Sequence, residues 1–328
     1  MRKIPMALLA LVTAASMSLP ARVNAQSAYP SAPITMIVPF PGGGSVDVAA
    51  RIITQRLAER LKQPVVIENV PGAAGTIGTQ RAIRAKADGY TLLFAVASPI
   101  TVAPQVSPTI IKYDALKELA PIAPVALSPF VLVGKPGFAA NSTTDVLRMA
   151  RSQPGRLNYG TDGVGTSMHV TMELLKQNAK IDIMHVPYKA GPQVLTEVAG
   201  NQIDLAMLPV TLAQGFIKEG KVKGYGVTSK ARWGSLPGVP SLSESPELKD
   251  MEMESWFGVL APVQVEAAIR ERLAREITAI VAEPEVVQRL DAAGLKPMSM
   301  GAAQFGAYLA REKQTFGAVI NAAGIKVE

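Results

Sequence analysis

The chain has 328 residues, of which 48% are hydrophobic and 18% charged, with a formal net charge of +7. This length suits one large domain or two ordinary ones, and the apolar share excludes a disordered chain. Cysteine is absent and histidine occurs twice, which excludes thiolate metal sites, iron–sulfur clusters, disulfides and a cysteine nucleophile, so we expect neither a metal nor a cofactor.

Residues 1–25 are predicted to be a secretory signal peptide. Arg2 and Lys3 form a basic start, residues 6–15 are a short apolar run, and small residues precede a cleavage site between Ala25 and Gln26. The alternative is a buried N-terminal helix. No second apolar run of about 18 residues follows, so we expect a soluble mature chain in a bacterial periplasm, with full secretion left open.

The mature chain is predicted to be only weakly basic. Residues 1–25 contain three basic residues and no acidic ones, so residues 26–328 hold 30 basic and 26 acidic residues, a net charge of +4. These charges are interspersed and form no cluster like a phosphate-binding surface. Nothing in this distribution indicates a nucleic-acid partner.

Short apolar runs alternate with helical patterns along the mature chain, which is typical of α/β architecture. In the first part, strands are predicted at residues 34–40, 65–68, 90–95, 122–125 and 130–134, with helices starting at Ser45 and near residue 79. The pattern then restarts, with helices at 144–151, 167–177 and from 193, and strands at 157–159, 183–186, 203–207 and 223–228. A loop at 236–246 precedes a strand at 256–261 and helices at 265–282, 285–293 and 303–321.

This order predicts two α/β lobes, the second inserted into the first. Lobe 1 comprises residues 26–125 and 255–328, and lobe 2 comprises residues 126–254, with chain crossings near Ala126 and Glu254. An interface between two lobes is the preferred place for a small ligand. We therefore expect a ligand cleft between them.

A first glycine loop, residues 40–47 (FPGGGSVD), joins a predicted strand to a predicted helix. Its backbone N–H groups and the partial positive charge of the helix N-terminus suit an anion. The spacing matches neither the dinucleotide-binding nor the P-loop motif. The alternative is a plain tight turn with Ser45 as the helix cap.

A second glycine loop, residues 159–167 (YGTDGVGTS), has the same position in lobe 2 and adds three hydroxyl groups. If both loops face the cleft, each could hold one carboxylate of a ligand that spans the lobes. The alternative is again a turn and a cap. For His169, on the first turn of the following helix, we favour a structural brace of this loop over a ligand contact.

Three other residue groups have structural and functional interpretations. His185, inside an apolar strand, is predicted to be structural. Tyr188 follows that strand and could present its hydroxyl to a ligand, or could simply end the strand beside a snorkelling Lys189. Asp47 and the residue four positions later, Arg51, could form a surface pair or part of a site.

Familiar catalytic motifs are absent from the sequence. It contains no nucleophile elbow and no HExxH motif, and no pair of carboxylates stands out in a polar loop. We therefore expect that the protein is not an enzyme.

With these loops described, the chain resembles the solute-binding proteins of the tripartite tricarboxylate transporter family, also called the Bug type. The resemblance extends over nearly all of the mature chain, and its specificity comes from many matches in order. These are residues 29–30 (YP), 33–34 (PI), 37–43 (IVPFPGG), Asp47, Arg51, 66–73 (VIENVPGA), 88–93 (DGYTLL), 163–165 (GVG), His169, 185–189 (HVPYK), 200–204 (GNQID) and 256–258 (WFG).

The resemblance implies a two-lobed periplasmic binding protein of type II topology that closes on a small organic carboxylate. Such proteins hold the ligand between the loop after the first strand and the glycine loop of the second lobe, partly through bridging waters. The site residues it implies here are Phe40, Gly42, Gly43, Gly44, Ser45, Asp47, Ser98, Thr161, Gly163, Gly165, Thr166, Ser167, His169, Tyr188 and Leu208.

The leucine at position 208 leads to an expectation about the ligand. Members of the family often have an acidic residue at this point, where the ammonium group of an amino-acid ligand can pair, whereas this chain has leucine. An ammonium group would then be desolvated without a partner. We therefore expect an aliphatic or aromatic mono- or dicarboxylate without an amino group.

Three functions fit these observations. The first is a monomeric binding protein that delivers a carboxylate to membrane permease subunits. The second is an exported enzyme in which His169 and either Asp162 or Asp47 have acid–base roles. The third is a sensory binding protein that docks to a receptor. Turnover of the ligand would distinguish the second from the first, whereas the sequence does not separate the first from the third.

Overall fold

The structure, a computed structural model, describes residues 29–326, so the predicted signal peptide lies outside it. The strands are β1 (Ile34–Val38), β2 (Val65–Asn69), β3 (Thr91–Ala95), β4 (Leu119–Gly134), β5 (Asn158–Thr161), β6 (Met184–Pro187), β7 (Leu205–Pro209), β8 (Lys223–Val227), β9 (Glu254–Pro262) and β10 (Lys296–Pro297). The helices are α1 (Ser45–Leu61), α2 (Thr76–Ile83), α3 (Ala103–Val106), α4 (Ala115–Glu118), α5 (Thr143–Ser152), α6 (Ser167–Ala179), α7 (Gly191–Ala199), α8 (Val210–Lys218), α9 (Ala267–Val281), α10 (Pro284–Ala292) and α11 (Ala302–Ala323).

The first sheet has the order β2-β1-β3-β9-β4. Strand β1 is parallel to β2 and β3, and β9 runs antiparallel to both β3 and β4. The apolar sequence of β1 is almost entirely buried because helices cover both faces of this sheet. On one face, Ile53 and Leu57 of α1 share a core with Leu273 and Ile277 of α9.

The second sheet repeats this arrangement. Strand β5 is parallel to β6 and β7, and the last residues of β4 run antiparallel to β7 on one side and β8 on the other. Helices α6 and α7 connect the parallel strands of this sheet, as α1 and α2 do in the first sheet. The protein is thus a two-lobed α/β protein of the type II periplasmic binding protein class.

Strand β4 connects the two sheets. The sequence predicts separate strands at 122–125 and 130–134, and this is wrong, because one continuous strand runs from Leu119 to Gly134. Its pairing with β9 extends to Pro129 opposite Glu254, and its pairing with β7 begins at the next residue, Phe130. The prolines within β4 are accommodated by shifts of register near Pro121 and Pro124.

Helix α11 packs against elements on both sides of this crossing. It contacts β4, the short helical turn Ser98–Val102 after β3, and α6 in the second lobe. The contact with α6 includes a hydrogen bond from the Gln177 amide to the Val319 carbonyl oxygen, at 3.5 Å. The C-terminal helix therefore packs against both lobes.

Helix α8 and the turn Ser98–Val102 were not predicted. Helix α8 follows β7 directly, with Pro209 as its N-cap, so no polar turn separates the apolar strand from the apolar helix. Among the helices of residues 29–326, none combines the length and the apolar character needed to cross a membrane.

Candidate functional site

Two adjoining cavities lie between the lobes. We call the inner one, lined by Phe40, Ser45, Ser98, Asp162, Ser167 and their neighbours, the inner chamber, and it has a volume of about 50 Å³. The outer groove, of about 640 Å³, continues it toward solvent and shares Phe40, Pro41 and Asp162 with it. The inner chamber has room for a few water molecules, so an organic acid enters only if the lobes move apart.

The first glycine loop forms the lobe 1 wall of the inner chamber. Gly43 has a φ of +78°, which turns the chain from β1 into α1. The N-cap of α1 is Gly44, and no side-chain hydrogen bond caps the described helix, so the interpretation of Ser45 as the cap is wrong. The N–H groups of the first helical turn have no partner within the helix and are available to an anion.

Asp47 holds this loop from behind. Its Oδ2 accepts from the Gly43 N–H at 3.0 Å and from Arg51 Nε at 2.8 Å, and its Oδ1 accepts from Asn69 Nδ2 at 3.0 Å. The same Asn69 amide donates to the Phe40 carbonyl oxygen at 3.0 Å. Burial alone would raise the pKa of Asp47, but the hydrogen bonds from Arg51, Gly43 and Asn69 hold it below its usual range. The carboxylate is therefore ionised and positions the loop.

The second glycine loop is braced by hydroxyl groups. Thr166 is the N-cap of α6: its Oγ1 accepts from the His169 N–H at 3.3 Å and donates to the Gly163 carbonyl oxygen at 2.9 Å. The Gly163 N–H donates to Thr161 Oγ1 at 3.2 Å. Gly163 and Gly165 both have positive φ, 127° and 76°, which only glycine adopts freely. The loop is therefore fixed by its own sequence.

The two histidines support the second glycine loop. Their rings stack at 4.1 Å, the Gly165 N–H donates to His169 Nδ1 at 3.3 Å, and His185 Nε2 lies 2.6 Å from Thr161 Oγ1. Burial lowers the pKa of His169, and burial together with the neighbouring ring lowers the pKa of His185 to about 4. Both are neutral near pH 7, which fits the bracing interpretation of His169.

The lobes touch at Ser98 and Ser167. The two Oγ atoms are 3.0 Å apart, and the Ser167 N–H donates to Ser98 Oγ, also at 3.0 Å. Nearby, a Cβ atom on Gly165 would lie 3.1 Å from the Val106 side chain of the opposite lobe. Residues of both glycine loops line the inner chamber, so the two loops face each other across it, in the arrangement that the two-loop hypothesis requires.

The predicted site residues divide into four groups. Phe40, Gly44, Ser45, Ser98 and Ser167 line the inner chamber, and Gly163 and Tyr188 line the outer groove. Gly42, Gly43, Asp47, Thr161, Gly165, Thr166 and His169 lie in or directly behind the two loops without lining either cavity, and Leu208 is fully buried in β7 opposite Val131. Their contacts with a ligand stay predictions.

Several residues of the inner chamber were not predicted as ligand contacts. Phe130, Pro192 and Leu212 add apolar wall, and Asp162 adds an acid. Asp162 Oδ1 is buried and accepts no hydrogen bond from any residue of the described chain. Burial, which outweighs hydrogen bonding from Thr166 and from its own backbone, raises the pKa of Asp162 to about 6. The sequence feature that could have indicated Asp162 is an acidic residue within a glycine loop.

No group of side chains in residues 29–326 is arranged to hold a metal ion.

Comparisons with other proteins identify the family. The family model for the tripartite tricarboxylate transporter family receptor matches residues 49–325. Among curated relatives, a UPF0065 protein of the tcbD-tcbE intergenic region of Pseudomonas sp. (strain P51) is 34% identical over 84% of this chain and 81% of its own length. Protein BugT of Bordetella pertussis is 32% identical over 92% of each chain.

Solved structures agree with this assignment. Rpa4515 of R. palustris, determined with adipate, is 27% identical and superimposes with a TM-score of 0.87 over 91% of this chain and 99% of its own. MatC of Rhodopseudomonas palustris, determined with bound malate, is 26% identical with a TM-score of 0.83 over 89% of this chain and 100% of its own. Together with the fold and the two facing loops, these matches show that the chain belongs to the tripartite tricarboxylate transporter receptor family of periplasmic solute-binding proteins.

Proposed function

We propose that this protein captures a small organic carboxylate without an amino group between its lobes and delivers it to the permease subunits of a membrane transporter. The observation that carries this proposal is that residues of both glycine loops line the inner chamber, where Ser167 of the second loop contacts Ser98 of lobe 1. In a ligand-bound state, each loop would hold one end of the acid.

The donors around the inner chamber suit reversible binding of an anion. They are backbone N–H groups at the start of α1 and hydroxyl groups of Ser45, Ser98 and Ser167, and within residues 29–326 no lysine or arginine lines the inner chamber. Neutral donors bind a carboxylate strongly only where water is excluded, so affinity depends on closure of the lobes. A carrier needs this property because it must also release the ligand.

The family relationship supports the ligand class. Adipate and malate, bound to the two similar structures, are both dicarboxylates without an amino group. The inner chamber of this chain has apolar walls at Phe40, Phe130 and Leu212, which suit the carbon skeleton of an organic acid. These features favour an aliphatic or aromatic acid.

Export and delivery complete the proposal. The predicted signal peptide, with cleavage between Ala25 and Gln26, would place the mature chain in the periplasm, where we expect it to act as a monomer. Family members act as receptors of tripartite transporters, so the closed protein would dock to two membrane subunits.

A thermal-shift screen of residues 26–328 against carboxylates and amino acids tests the ligand class. Binding to the folded protein stabilises it by about 2.7 kcal/mol at a hundredfold excess over Kd. We expect a clear shift with at least one carboxylate and none with amino acids. Ser45→Ala should reduce the shift, whereas Ser152→Ala, on the exposed end of α5, should not. No shift with any acid, together with an empty cleft by native mass spectrometry, would contradict the proposal.

A further inference from the structure

Within residues 29–326, Asp162 is the one ionisable side chain that lines both the inner chamber and the outer groove. Its Oδ1 is buried and receives no hydrogen bond from residues 29–326. A buried carboxylate oxygen without a donor is strongly disfavoured in its ionised form. At the place where a ligand would sit, the Asp162 carboxyl group can therefore accept a hydrogen bond when it is ionised, or donate one when it is protonated.

The charged groups near Asp162 do not offset the cost of burying its carboxylate. In lobe 1 the facing loop is backed by Asp47, whose carboxylate is already bound to Arg51, and Arg51 is 58% exposed on the far side. In lobe 2, helix α6 carries His169 and the ion pair of Glu173 with Lys176, while His185 lies on β6 and Tyr188 and Lys189 follow it. The histidines are neutral near pH 7, and Lys189 is exposed at the outer groove.

A carboxylate ligand in the inner chamber would therefore meet a second carboxyl group without a cation between them. Two like charges at short range in a water-poor site do not both stay ionised, and one of them takes up a proton. Burial already raises the pKa of Asp162 to about 6 in the absence of a ligand, so Asp162 is the group that gains the proton. Its O–H would then become a donor toward the ligand.

We propose that Asp162 is a ligand-binding residue that acts as a neutral acid, donating a hydrogen bond from its carboxyl group to a carboxylate oxygen of the ligand. The inference rests on the proposed function. The proton comes from the solvent when the complex forms and returns to it on release, and no covalent bond changes. Capture is thereby coupled to uptake of one proton at neutral pH.

The coupling predicts a definite pH dependence. Above pH 6 the free protein must take up a proton to bind, so affinity should fall by about tenfold for each pH unit, as for any equilibrium that binds one proton. An ammonium ligand would give the opposite result, because it requires the ionised carboxylate and would bind more tightly as the pH rises.

Titration calorimetry from pH 6 to pH 8 tests the inference, with adipate, malate and the acid that gives the largest thermal shift as probes. Asp162→Asn has the same shape, is neutral at every pH and keeps an N–H donor. We expect this variant to bind at pH 8 about as tightly as the unmodified protein binds at pH 6, with little pH dependence. Asp182→Asn, on an exposed loop of the same lobe, should behave like the unmodified protein.

Titrations in buffers with different heats of ionisation give the number of protons taken up for each ligand bound. We expect uptake of about one proton per ligand at pH 7.5 for the unmodified protein and none for Asp162→Asn. Because any titration of the ligand itself is common to both proteins, the difference between them belongs to Asp162. Unfolding temperatures of both proteins establish that the variant is folded.

Each alternative outcome is distinct. Identical pH profiles for the unmodified protein and Asp162→Asn would overturn the inference while leaving carboxylate binding intact. Affinity that rises with pH and is lost in Asp162→Asn would show instead that Asp162 pairs with a cation or hydroxyl of the ligand. Failure of both proteins to bind any carboxylate at any pH would overturn the proposed function, and the inference with it.

Discussion

Ser98 of lobe 1 and Ser167 of lobe 2 are joined by two contacts at 3.0 Å, one between their hydroxyl groups and one from the Ser167 N–H to Ser98 Oγ. Ser98 begins the short helical turn after β3, and Ser167 is the first residue of α6. Because the two residues belong to different lobes, we expect these hydrogen bonds to break when the lobes move apart, and therefore to stabilise the closed arrangement.

Ser98→Ala should therefore weaken ligand binding without unfolding the protein. The variant removes hydrogen bonds that the closed state makes and the open state does not, worth about 1 kcal/mol in total, which corresponds to roughly a fivefold loss of affinity. Titration calorimetry measures the loss, and X-ray scattering should show a larger radius of gyration for the variant without ligand. Ser152→Ala is the control. Unchanged affinity and unchanged scattering would mean that this contact does not contribute to closure.

Asp47 and Arg51 should differ sharply in their effect on stability. The side chain of Asp47 is 4% exposed and accepts from three residues, whereas that of Arg51 is 58% exposed. Asp47→Ala leaves the donors of Gly43 and Asn69 without their partner, and should lower the free energy of unfolding by about 2 to 3 kcal/mol. Arg51→Ala removes only a largely exposed ion pair, and should change it by about 1 kcal/mol or less.

Urea denaturation measures both changes, and calorimetry reports the state of the glycine loop. We expect Asp47→Ala to lose ligand affinity as well, because the Gly43 N–H and the Phe40 carbonyl group are held through Asp47 and Asn69. Equal effects of the two substitutions would contradict the view that Asp47 braces the loop.

The stacked histidines predict a loss of stability in weak acid. The pKa of His185 is about 4 in the folded protein and about 6.5 in the unfolded chain. Between these values the unfolded chain binds a proton that the folded protein does not, so the free energy of unfolding falls as the pH drops from 6.5 toward 4. The contribution of His185 to this slope has an upper limit of about 1.4 kcal/mol per pH unit. We expect a smaller value because the ring is partly exposed.

Denaturation at several pH values between 4.5 and 7.5 tests this. His185→Gln cannot titrate but keeps a polar group near Thr161, so its stability should vary less over this range than that of the unmodified protein. His169 stacks on His185 and its pKa is lowered in the same direction, so the pair titrates jointly. Equal slopes for the two proteins would show that His185 is not held neutral.

The sequence predicts much of the fold because burial imposes a regular pattern on it. The apolar run of β1 and the helical spacing of Val46, Ile53 and Leu57 in α1 both follow from covered faces of the first sheet. Where local rules conflict with tertiary pairing, prediction fails: prolines at 121, 124 and 129 indicate a break, yet β9 and β7 hold β4 as one strand.

In the site, too, local patterns predict some features and contacts between distant segments decide others. The glycine loops are recognisable because a positive φ at Gly43, Gly163 and Gly165 requires glycine. Which atoms face the cleft depends on contacts between distant segments, which no local pattern encodes. Asp47 is a ligand residue by resemblance to the family but binds its own loop, and Asp162, which the sequence offers only as an acid–base residue of the enzyme alternative, lines the inner chamber.

A second buried acid, Glu312, is hydrogen-bonded to the helical turn that contains Ser98. Its Oε2 accepts from Trp256 Nε1 at 2.6 Å and from Thr101 Oγ1 at 2.9 Å, and its Oε1 is buried without a partner among residues 29–326. Thr101 belongs to the same helical turn as Ser98. Burial, only partly offset by the hydrogen bonds from Trp256 and Thr101, raises the pKa of Glu312 to about 8.

Glu312 should make the protein less stable in weak alkali. Between the unfolded pKa of 4.5 and the folded pKa of about 8, the folded protein holds a proton that the unfolded chain has lost. The contribution to stability is therefore fully present below pH 4.5 and declines as the pH rises toward 8, by roughly 1.4 kcal/mol per pH unit at most. Glu312→Gln should remove this slope, whatever its constant effect on stability, whereas Glu271→Gln, at an exposed position of α9, should retain it. Urea denaturation between pH 5 and pH 8.5 measures the slopes, and a Glu312→Gln protein that still loses stability in parallel with the unmodified protein would place the titrating group elsewhere.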